Sequence, residues 1–358
     1  MGLSAGLFYN PDNSDKQTLH RRIKPTDAQF DEQQERWHAL ADHLRADLKE
    51  RSGYEISTWL QGSYKFGTQI RPTRLGQEFD IDLGAYFAWE GEPEDGGRDA
   101  KDIKALVQKS LQAYVGDDVI EVVAPPKRKC SRIRFKGDFH IDVPAYHLDP
   151  GRDSRSLATE ENKWERSDPK ALYLWFKNKF DDYKRDKVRR CISYFKCWAC
   201  LKFSNADRPS STLITVLVAE AAHEIQDDNL ASDDDALLSV LEKLIARLEV
   251  NQSVPSPIDG SENLAGHLTN QQLDTFQKKL RGFRDIAQNA IQCETLSAAA
   301  DKWSEAFEHF FPMPETEEVS KFNEASRRLP VPIAIPDVSV RATSRTNRNL
   351  HWSGRNRI

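Results

Sequence analysis

The spacing of apolar residues changes along the chain from a helical period to alternation and back, so it predicts both helices and strands. Between residues 26 and 51, apolar side chains lie three, four or seven positions apart, as on one face of an amphipathic helix. They are Phe30, Trp37, Leu40, Leu44 and Leu48. Thr26 or Asp27 can cap the start of this helix, and Gly53 can end it.

The stretch after this helix alternates apolar and polar residues and predicts a small sheet. A Gly-Ser turn at residues 62–63 follows the first strand, and a Gly- and Glu-rich loop at residues 91–98 follows the second. The expected strands are 55–61, 78–89, 119–124, 131–135 and one around Asp142, with a helix at 99–114. This order is typical of a compact α+β lobe that ends near Pro150.

From Ser167 onward the periodicity is helical, and Asp168 before Pro169 is typical of a helix start. Helices are expected near residues 169–183, 185–203, 211–226, 234–250, 269–290 and 295–310. The predicted fold class is therefore α+β, with an α+β lobe over residues 1–150 and a helical lobe over residues 151–328. A Pro- and Arg-rich tail occupies residues 329–358. We expect the helix at 26–51 to run along both lobes as a spine.

Composition and charge narrow the function classes. Hydrophobic residues are 39% and charged residues 30% of the 358 residues, which indicates a soluble globular protein. No apolar run approaches the roughly 18 residues of a membrane-spanning helix, and the N-terminal segment lacks the apolar core of a signal peptide. Five cysteines in so long a chain are too few for a disulfide framework and fit a reducing cytoplasm. We expect no association with a membrane. A net charge of −5 disfavours binding to long nucleic acid and favours small nucleotides.

Two aspartates in the second predicted strand are the most informative residues. Asp80 and Asp82 lie at i and i+2, so on a strand both carboxylates point to one face. Two like charges side by side are costly unless a cation lies between them, which predicts a divalent metal ion. The alternative is that both aspartates only form the exposed face of an amphipathic strand.

A third acid and a turn complete this set. Asp142 lies in a further apolar run, Gly62 permits a tight turn, and Ser63 offers a hydroxyl and a backbone N–H to a phosphate. Two metal ions a few ångströms apart need three acids, one of which bridges them. We therefore predict a metal-dependent nucleotidyl-transfer site. Its catalytic metal ligands are Asp80, Asp82 and Asp142, and its cofactor is two Mg²⁺ ions, with Mn²⁺ as the alternative.

The Gly-Ser turn together with these three acids resembles the polymerase-β-type nucleotidyltransferase superfamily. Within it, residues 61–72 and 78–83 are most similar to the bacterial cGAS/DncV-like nucleotidyltransferases of anti-phage signalling systems. The similarity covers about residues 25–320, with specific motifs at 61–83, 138–144, 164–176 and 194–220. It implies a nucleotidyltransferase lobe followed by a helical lobe, with the active site in the cleft between them.

The resemblance also implies nucleotide-binding residues in the first lobe. These are Gln61, Gly62 and Ser63 of the turn, and Phe66, which lies where family members often place an aromatic that stacks on a base. The alternative for Phe66 is an ordinary place in the core.

In the second lobe, residues 194–199 and 208–213 resemble the helix and the turn that hold the triphosphate. Lys196 would then contact a β- or γ-phosphate, and Ser210 and Ser211 would present backbone N–H groups to it. The alternatives are a solvated lysine and two helix-capping serines, and capping can coexist with triphosphate binding.

The implied activity is the joining of NTPs (ATP and a second one such as GTP) into a cyclic oligonucleotide second messenger. A cyclic dinucleotide of the cGAMP type in antiviral defence is the favoured product, with regulatory or effector proteins of a defence operon as partners. Two alternatives stay open. One is a template-independent transferase acting on an RNA or protein end, which the tail arginines favour. The other is a non-catalytic scaffold, which the three intact acids disfavour.

A basic run at residues 127–134 is the densest before the tail. It is either a solvated strand face or a lip for phosphates or an activating ligand.

Overall fold

The computed structural model describes residues 2–12, 17–226 and 231–314, so the predicted tail at 329–358 lies outside the described residues. The strands are β1 (Glu55–Gln61), β2 (Phe79–Ala88), β3 (Val119–Val122), β4 (Ser131–Phe135), β5 (Phe139–Val143), β6 (Ala145–Asp149), β7 (Ser154–Ala158) and β8 (Trp164–Arg166). The helices are α1 (Ala5–Phe8), α2 (Leu19–Ile23), α3 (Asp27–Ser52), α4 (Gly62–Phe66), α5 (Ala100–Ala113), α6 (Pro169–Lys179), α7 (Asp182–Lys202), α8 (Ser211–His223), α9 (Asp233–Val250), α10 (Asn270–Ile291) and α11 (Leu296–Phe307). Short 3₁₀ turns lie at Pro93–Gly96 and Glu308–Phe310.

Helix α3 has both of its predicted end signals. The Thr26 hydroxyl accepts a hydrogen bond from the Gln29 backbone N–H, and the Gln29 side chain accepts one from the Thr26 N–H, which is a reciprocal capping box. Gly53 ends the helix in the left-handed conformation, at φ 79°. The boundaries predicted from the sequence are therefore confirmed to within a residue.

Strand β2 is the centre of an eight-stranded sheet with the order β3-β4-β5-β2-β6-β7-β8, and β1 also pairs with β2. Along one edge, the first half of β2 pairs in parallel with β5 and the second half in parallel with β6. Pro144 separates β5 from β6, and its carbonyl accepts a hydrogen bond from the Ala85 N–H over 2.9 Å. Along the other edge, β1 runs antiparallel to β2. Because β1 pairs with residues 82–88, the second half of β2 lies between β1 and β6, whereas Asp80 pairs with β5 and Asp82 lies where the β1 and β5 pairings meet.

Helices α3 and α5 cover the apolar face of this sheet. Trp37 and Leu44 of α3 and Ile103 of α5 pack in one buried cluster with Ile81 of β2 and Ile141 of β5. Burying one large aliphatic or aromatic side chain stabilises the fold by about 1.5–3 kcal/mol, so this contact fixes which sheet face is interior. The residues at alternate positions consequently face away from the helices.

The second half of the chain is helical, as predicted. Asp168 accepts a hydrogen bond from the Ala171 N–H over 2.8 Å and so caps α6. Helices α7 to α11 follow, and the predicted α+β fold class with a helical second part is confirmed. None of the described helices has the length and apolar composition needed to span a membrane.

Contacts within the structure divide the chain into two units, and the boundaries of these units do not lie at residue 150. The sheet unit comprises Thr26–Gly67 and Arg74–Tyr173; the helical unit comprises residues 2–25, Thr68–Thr73 and residues 174–314, as far as each is described. Strands β7 and β8 belong to the sheet because β7 pairs with β6 and β8 with β7. The N-terminal segment belongs to the helical unit, where Phe8 lies edge-on to Trp303 at 4.7 Å between ring centroids. Helix α3 lies wholly within the sheet unit.

Candidate active site

Strand register brings the three predicted acids to one face of the sheet. Asp82 of β2 is the direct partner of Asp142 of β5, and Asp80 is the partner of His140. Side chains of directly paired residues lie on the same face. The intervening residues Ile81 and Ile141 point into the apolar core. The sheet thus collects four polar side chains on its polar face.

Gly62 lies against the carboxylate of Asp82. A Cβ atom built on Gly62 would lie 2.0 Å from Asp82 Oδ2, and the backbone there has φ +57°. Any side chain at residue 62 would force the Asp82 carboxylate to move, and the left-handed φ also favours glycine. Glycine at this position therefore lets the turn pass directly over a candidate metal ligand without displacing it.

Asp142 is buried and held by two cations. The Arg132 guanidinium donates to Asp142 Oδ1 over 2.5 Å from Nε and to Oδ2 over 2.8 Å from Nη2. Lys127 Nζ lies 3.3 Å from Oδ2. Burial raises the pKa of Asp142, but the hydrogen bonds and charge of Arg132, helped by Lys127, outweigh it and hold the pKa below its usual range. Asp142 is therefore an anion at neutral pH.

His140 lies between two carboxylates. Its Nδ1 is 2.8 Å from Glu78 Oε2, and its Nε2 is 2.9 Å from Asp80 Oδ1. The distance from Nε2 to Asp80 Oδ1 is that of an ion pair, but the contact does not have the geometry of a hydrogen bond. Glu78 also accepts from Arg134 Nε over 2.6 Å. Burial raises the pKa of Glu78, and the hydrogen bonds from Arg134 and His140 lower it further than burial raises it.

The donor set fits a divalent cation. One ligand atom each from Asp80, His140 and Asp142 lie within 4.8 Å of one another, and Asp82 is the direct strand partner of Asp142 on the same face. Carboxylate oxygens are the donors that Mg²⁺ and Mn²⁺ prefer. Repulsion between these carboxylates would fall if a cation lay among them.

Gln61 and Ser63 occupy the turn between β1 and β2. Gln61 is the partner of Asp82 on the β1 side. Its buried amide donates to the Tyr86 hydroxyl over 2.8 Å and accepts from the Tyr146 hydroxyl over 3.2 Å. Ser63 lies in the five-residue helix α4, for which Gln61 is the N-terminal flanking residue. The amide of Gln61 thus fixes the turn against the sheet.

Phe66 is buried at the end of α4. Its ring lies edge-on to Tyr173, with 5.7 Å between the centroids. The neighbouring Lys65 places Nζ 4.3 Å above the Trp59 ring and 5.0 Å above the Tyr173 ring. Phe66 therefore has a packing role in this structure, and its stacking on a base stays a prediction.

The three predicted triphosphate residues of the second half lie in the helical unit. Lys196 is buried within α7, and its Nζ donates to Thr68 Oγ1 over 3.3 Å. The Ser210 hydroxyl accepts a hydrogen bond from the Leu213 N–H over 3.1 Å, so Ser210 caps α8 as the alternative interpretation predicted. Ser211 is the exposed first residue of that helix. Nucleotide binding by these residues stays a prediction.

Two features of the site are not among those predicted from the sequence. They are His140 and the pairing of Arg132 with Asp142, and the alternating polar residues of β4 and β5 are the sequence signal for both. Arg132 faces Asp142 and Arg134 faces His140 across the β4–β5 pair. The basic run also pairs with acids elsewhere, since Arg128 Nε donates to Glu161 over 2.8 Å. The run is therefore paired with acids and is not only a solvated face, and its role as a lip for phosphates or an activating ligand stays a prediction.

The sequence is similar to one protein-family model and to two known synthases. Residues 56–146 match the model of the nucleotidyltransferase domain of cyclic GMP-AMP synthase DncV-like proteins. The cyclic GMP-AMP synthase of Escherichia albertii is 27% identical over 337 residues, which cover 93% of this chain and 72% of that protein. The c-di-GMP synthase of Roseivirga ehrenbergii is 24% identical over 262 residues, covering 64% of this chain and 65% of that protein.

Solved structures share the fold. The Vibrio cholerae DncV cyclic AMP-GMP synthase, in complex with the linear intermediate 5′ pppA(3′,5′)pG, matches with a TM-score of 0.71 at 18% identity, over 88% of this chain and 99% of that one. The 3′-deoxy GTP bound form of Escherichia coli DncV matches with a TM-score of 0.71 at 21% identity, over 86% and 97%. The match extends beyond the residues of the family model and includes much of the helical part.

Proposed function

We propose that this chain, which belongs to the bacterial cGAS/DncV-like nucleotidyltransferases, joins NTPs and closes them into a cyclic oligonucleotide. The observation that carries the proposal is the shared face of β2 and β5, where Asp82 is paired with Asp142 and Asp80 lies one step along. Gly62 passes so close to Asp82 that a Cβ atom at this position would displace the carboxylate. A phosphate-binding turn next to three acids suits the transfer of a nucleotidyl group.

Asp142 and Asp82 have different neighbours, which suits different roles in the reaction. Asp80, Asp82 and Asp142 would hold two Mg²⁺ ions, which when bound lower the pKa of the attacking ribose hydroxyl and neutralise the triphosphate and the leaving pyrophosphate. Arg132 keeps Asp142 ionised and fixes the plane of its carboxylate. Asp82 lies where the turn reaches the sheet, so it lies nearest to the backbone that would grip the phosphates.

The substrates we propose are ATP and a second NTP such as GTP. Gly62 and Ser63 would contact phosphate through the α4 turn, and Phe66 would leave Tyr173 to stack on a base. Lys196, Ser210 and Ser211 would supply a charge and backbone N–H groups to the triphosphate. Supporting this, Lys196 is held by Thr68, so its charge is positioned and not dispersed in solvent.

The product we propose is a cyclic dinucleotide of the cGAMP type, made in the cytoplasm as a signal in antiviral defence. The support is the activity for which the relatives are named, since they include a cyclic GMP-AMP synthase and a c-di-GMP synthase. Regulatory or effector proteins of a defence operon are the proposed partners. The mixed product is favoured over the symmetrical one because the cyclic GMP-AMP synthase of Escherichia albertii matches more of this chain than the c-di-GMP synthase does.

The deciding experiment incubates the purified full chain with Mg²⁺ and each pair of labelled NTPs, then treats the products with phosphatase. Cyclic products have no terminal phosphate, so a small labelled species that resists phosphatase supports the proposal. Mass spectrometry then identifies the two bases and nuclease digestion identifies the linkage. Product that remains phosphatase-sensitive, or label that enters only added RNA, contradicts it and favours a template-independent transferase. Absence of any product contradicts both.

A further inference from the structure

The imidazole of His140 is positioned as metal-binding histidines are. It is 6% exposed, and its Nδ1 lies 2.8 Å from the carboxylate of Glu78. An ionised carboxylate only accepts hydrogen bonds, so Nδ1 carries the proton. Nε2 is then the ring nitrogen that is left for a ligand. A carboxylate that holds the far nitrogen is the usual support of a metal-ligating histidine, because it fixes both the tautomer and the ring plane.

The second nitrogen of His140 is unsatisfied. Nε2 is buried, and within the described part of the chain no group makes a hydrogen bond with it. Asp80 Oδ1 is 2.9 Å away but lies off the hydrogen-bond direction. A buried polar atom that lacks a hydrogen bond costs about 1–3 kcal/mol, so the position of Nε2 suits a ligand.

The spacing around Nε2 suits a shared cation. Ligand atoms of Asp80, His140 and Asp142 lie within 4.8 Å of one another. Two donors bound at right angles to one metal, at about 2.0–2.2 Å each, lie about 3 Å apart. The 2.9 Å between Nε2 and Asp80 Oδ1 is of that size.

We propose that Nε2 of His140 is a direct ligand of a divalent cation that Asp80 and Asp142 also bind, with Glu78 as the positioning residue. The inference rests on the proposed function, because it places the nitrogen at one of the sites that the catalytic acids form. An imidazole donor favours later divalent metals over Mg²⁺, which prefers oxygen ligands alone. The site consequently binds Mn²⁺ more tightly than Mg²⁺.

The cations on Asp142 do not block this arrangement. Arg132 takes one lone pair on each oxygen and Lys127 approaches Oδ2. A carboxylate has about four lone-pair positions, so the oxygens retain capacity for a metal. Arg132 and Lys127 also partly balance the negative charge of Asp142, which limits how tightly a cation binds. Each further ligand atom therefore contributes more to the affinity.

The test measures Mn²⁺ binding to the full chain without nucleotide. Electron paramagnetic resonance of free Mn²⁺ gives the dissociation constant, and electron spin echo envelope modulation detects nitrogen bonded to the bound ion. We expect nitrogen coupling in the parent protein. His140→Gln should remove the coupling and weaken Mn²⁺ binding about tenfold or more, with a smaller effect on Mg²⁺. Glu78→Gln should weaken Mn²⁺ binding about 10–100-fold while the coupling persists at saturating Mn²⁺.

His147→Gln is the matched control. His147 is a buried histidine of β6 whose Nε2 contacts the Trp89 carbonyl at 3.0 Å, so its replacement should change neither the coupling nor the affinity. Thermal unfolding of each variant verifies the fold. Mn²⁺ that binds without nitrogen coupling, with unchanged affinity in His140→Gln, overturns the inference even if the parent forms cyclic product. If the protein binds neither metal, the metal part of the proposed function fails with it.

Discussion

Arg132 and Asp142 face each other across the antiparallel pair of β4 and β5, and the guanidinium donates to both carboxylate oxygens over 2.5 and 2.8 Å. Both side chains are mostly buried, at 20% and 10% exposed. In this setting the pair determines the charge and the orientation of the third proposed catalytic acid. Breaking it from either side should therefore affect both stability and activity.

Replacing Arg132 by Ala should destabilise the protein by about 1.5–3 kcal/mol, because the buried Asp142 would lose both hydrogen bonds from the guanidinium and keep the longer contact with Lys127. Arg128→Ala is the matched control. Arg128 is nearly half exposed and pairs with Glu161 and Glu165 at the surface, so these pairs should each contribute only about 0–1 kcal/mol. Urea unfolding at pH 7 measures how much free energy of unfolding each variant loses. Equal losses would mean that the pair of Arg132 and Asp142 stabilises the protein no more than an exposed pair does.

Acid should weaken the folded state through Asp142. Its pKa in the folded protein lies below its unfolded value of about 3.9, so the unfolded state binds more protons as the pH falls. The stabilising contribution is therefore full above about pH 4 and is lost as the pH falls through the folded pKa. The free energy of unfolding, measured between pH 3 and 7, should differ between the parent and Asp142→Asn by an amount that shrinks below about pH 4. A difference that stays constant would contradict this linkage.

The double replacement Asp80→Asn and Asp82→Asn should abolish nucleotide transfer and leave the melting temperature unchanged or slightly raised. Removing two neighbouring carboxylates relieves repulsion in the metal-free protein but deletes oxygen ligands of the proposed metal site. Labelled-NTP assays with Mg²⁺ and a thermal melt measure the two effects. Full activity of this variant would end the catalytic assignment.

Gly62→Ala should abolish transfer through a clash, and not only through backbone strain. The added methyl group would meet Asp82 Oδ2 at 2.0 Å and push that carboxylate away. Gly53→Ala separates the two causes. Gly53 has φ +79° with nothing within 4 Å, so its replacement should cost about 1 kcal/mol of stability and leave transfer intact. Comparable activity in the two variants would show that the approach of Gly62 to Asp82 is unimportant.

Lys196→Ala should weaken NTP binding about 10–100-fold, the loss expected for a charge-assisted contact of about 1.5–3 kcal/mol. Lys202→Ala is the control on the same helix, since Lys202 Nζ contacts Glu308 over 2.8 Å at the surface. Isothermal titration with a non-hydrolysable NTP compares the two. If Lys196→Ala binds as the parent does, the lysine has a structural role and does not contribute to NTP binding.

Local sequence predicted the elements of this fold well, because their signals lie within a few residues of each other. The Thr26 capping box and Gly53 define α3, and alternation in residues 79–83 defines the first half of β2. The domain division was less predictable. Strands β7 and β8 join the sheet through pairing with β6, and the ring of Phe8 packs on Trp303, contacts that no local period records.

The sequence by itself determined the chemistry of the candidate site, since two acids at i and i+2 on a strand must share a face, and a Gly-Ser turn precedes them. The tertiary structure alone decided their surroundings. It set the register that pairs Asp82 with Asp142, the guanidinium that keeps Asp142 ionised, and the Glu78 contact that orients His140. These depend on which strands become neighbours. That choice is made by the burial of apolar residues on the opposite face of the sheet, and not by the polar residues themselves.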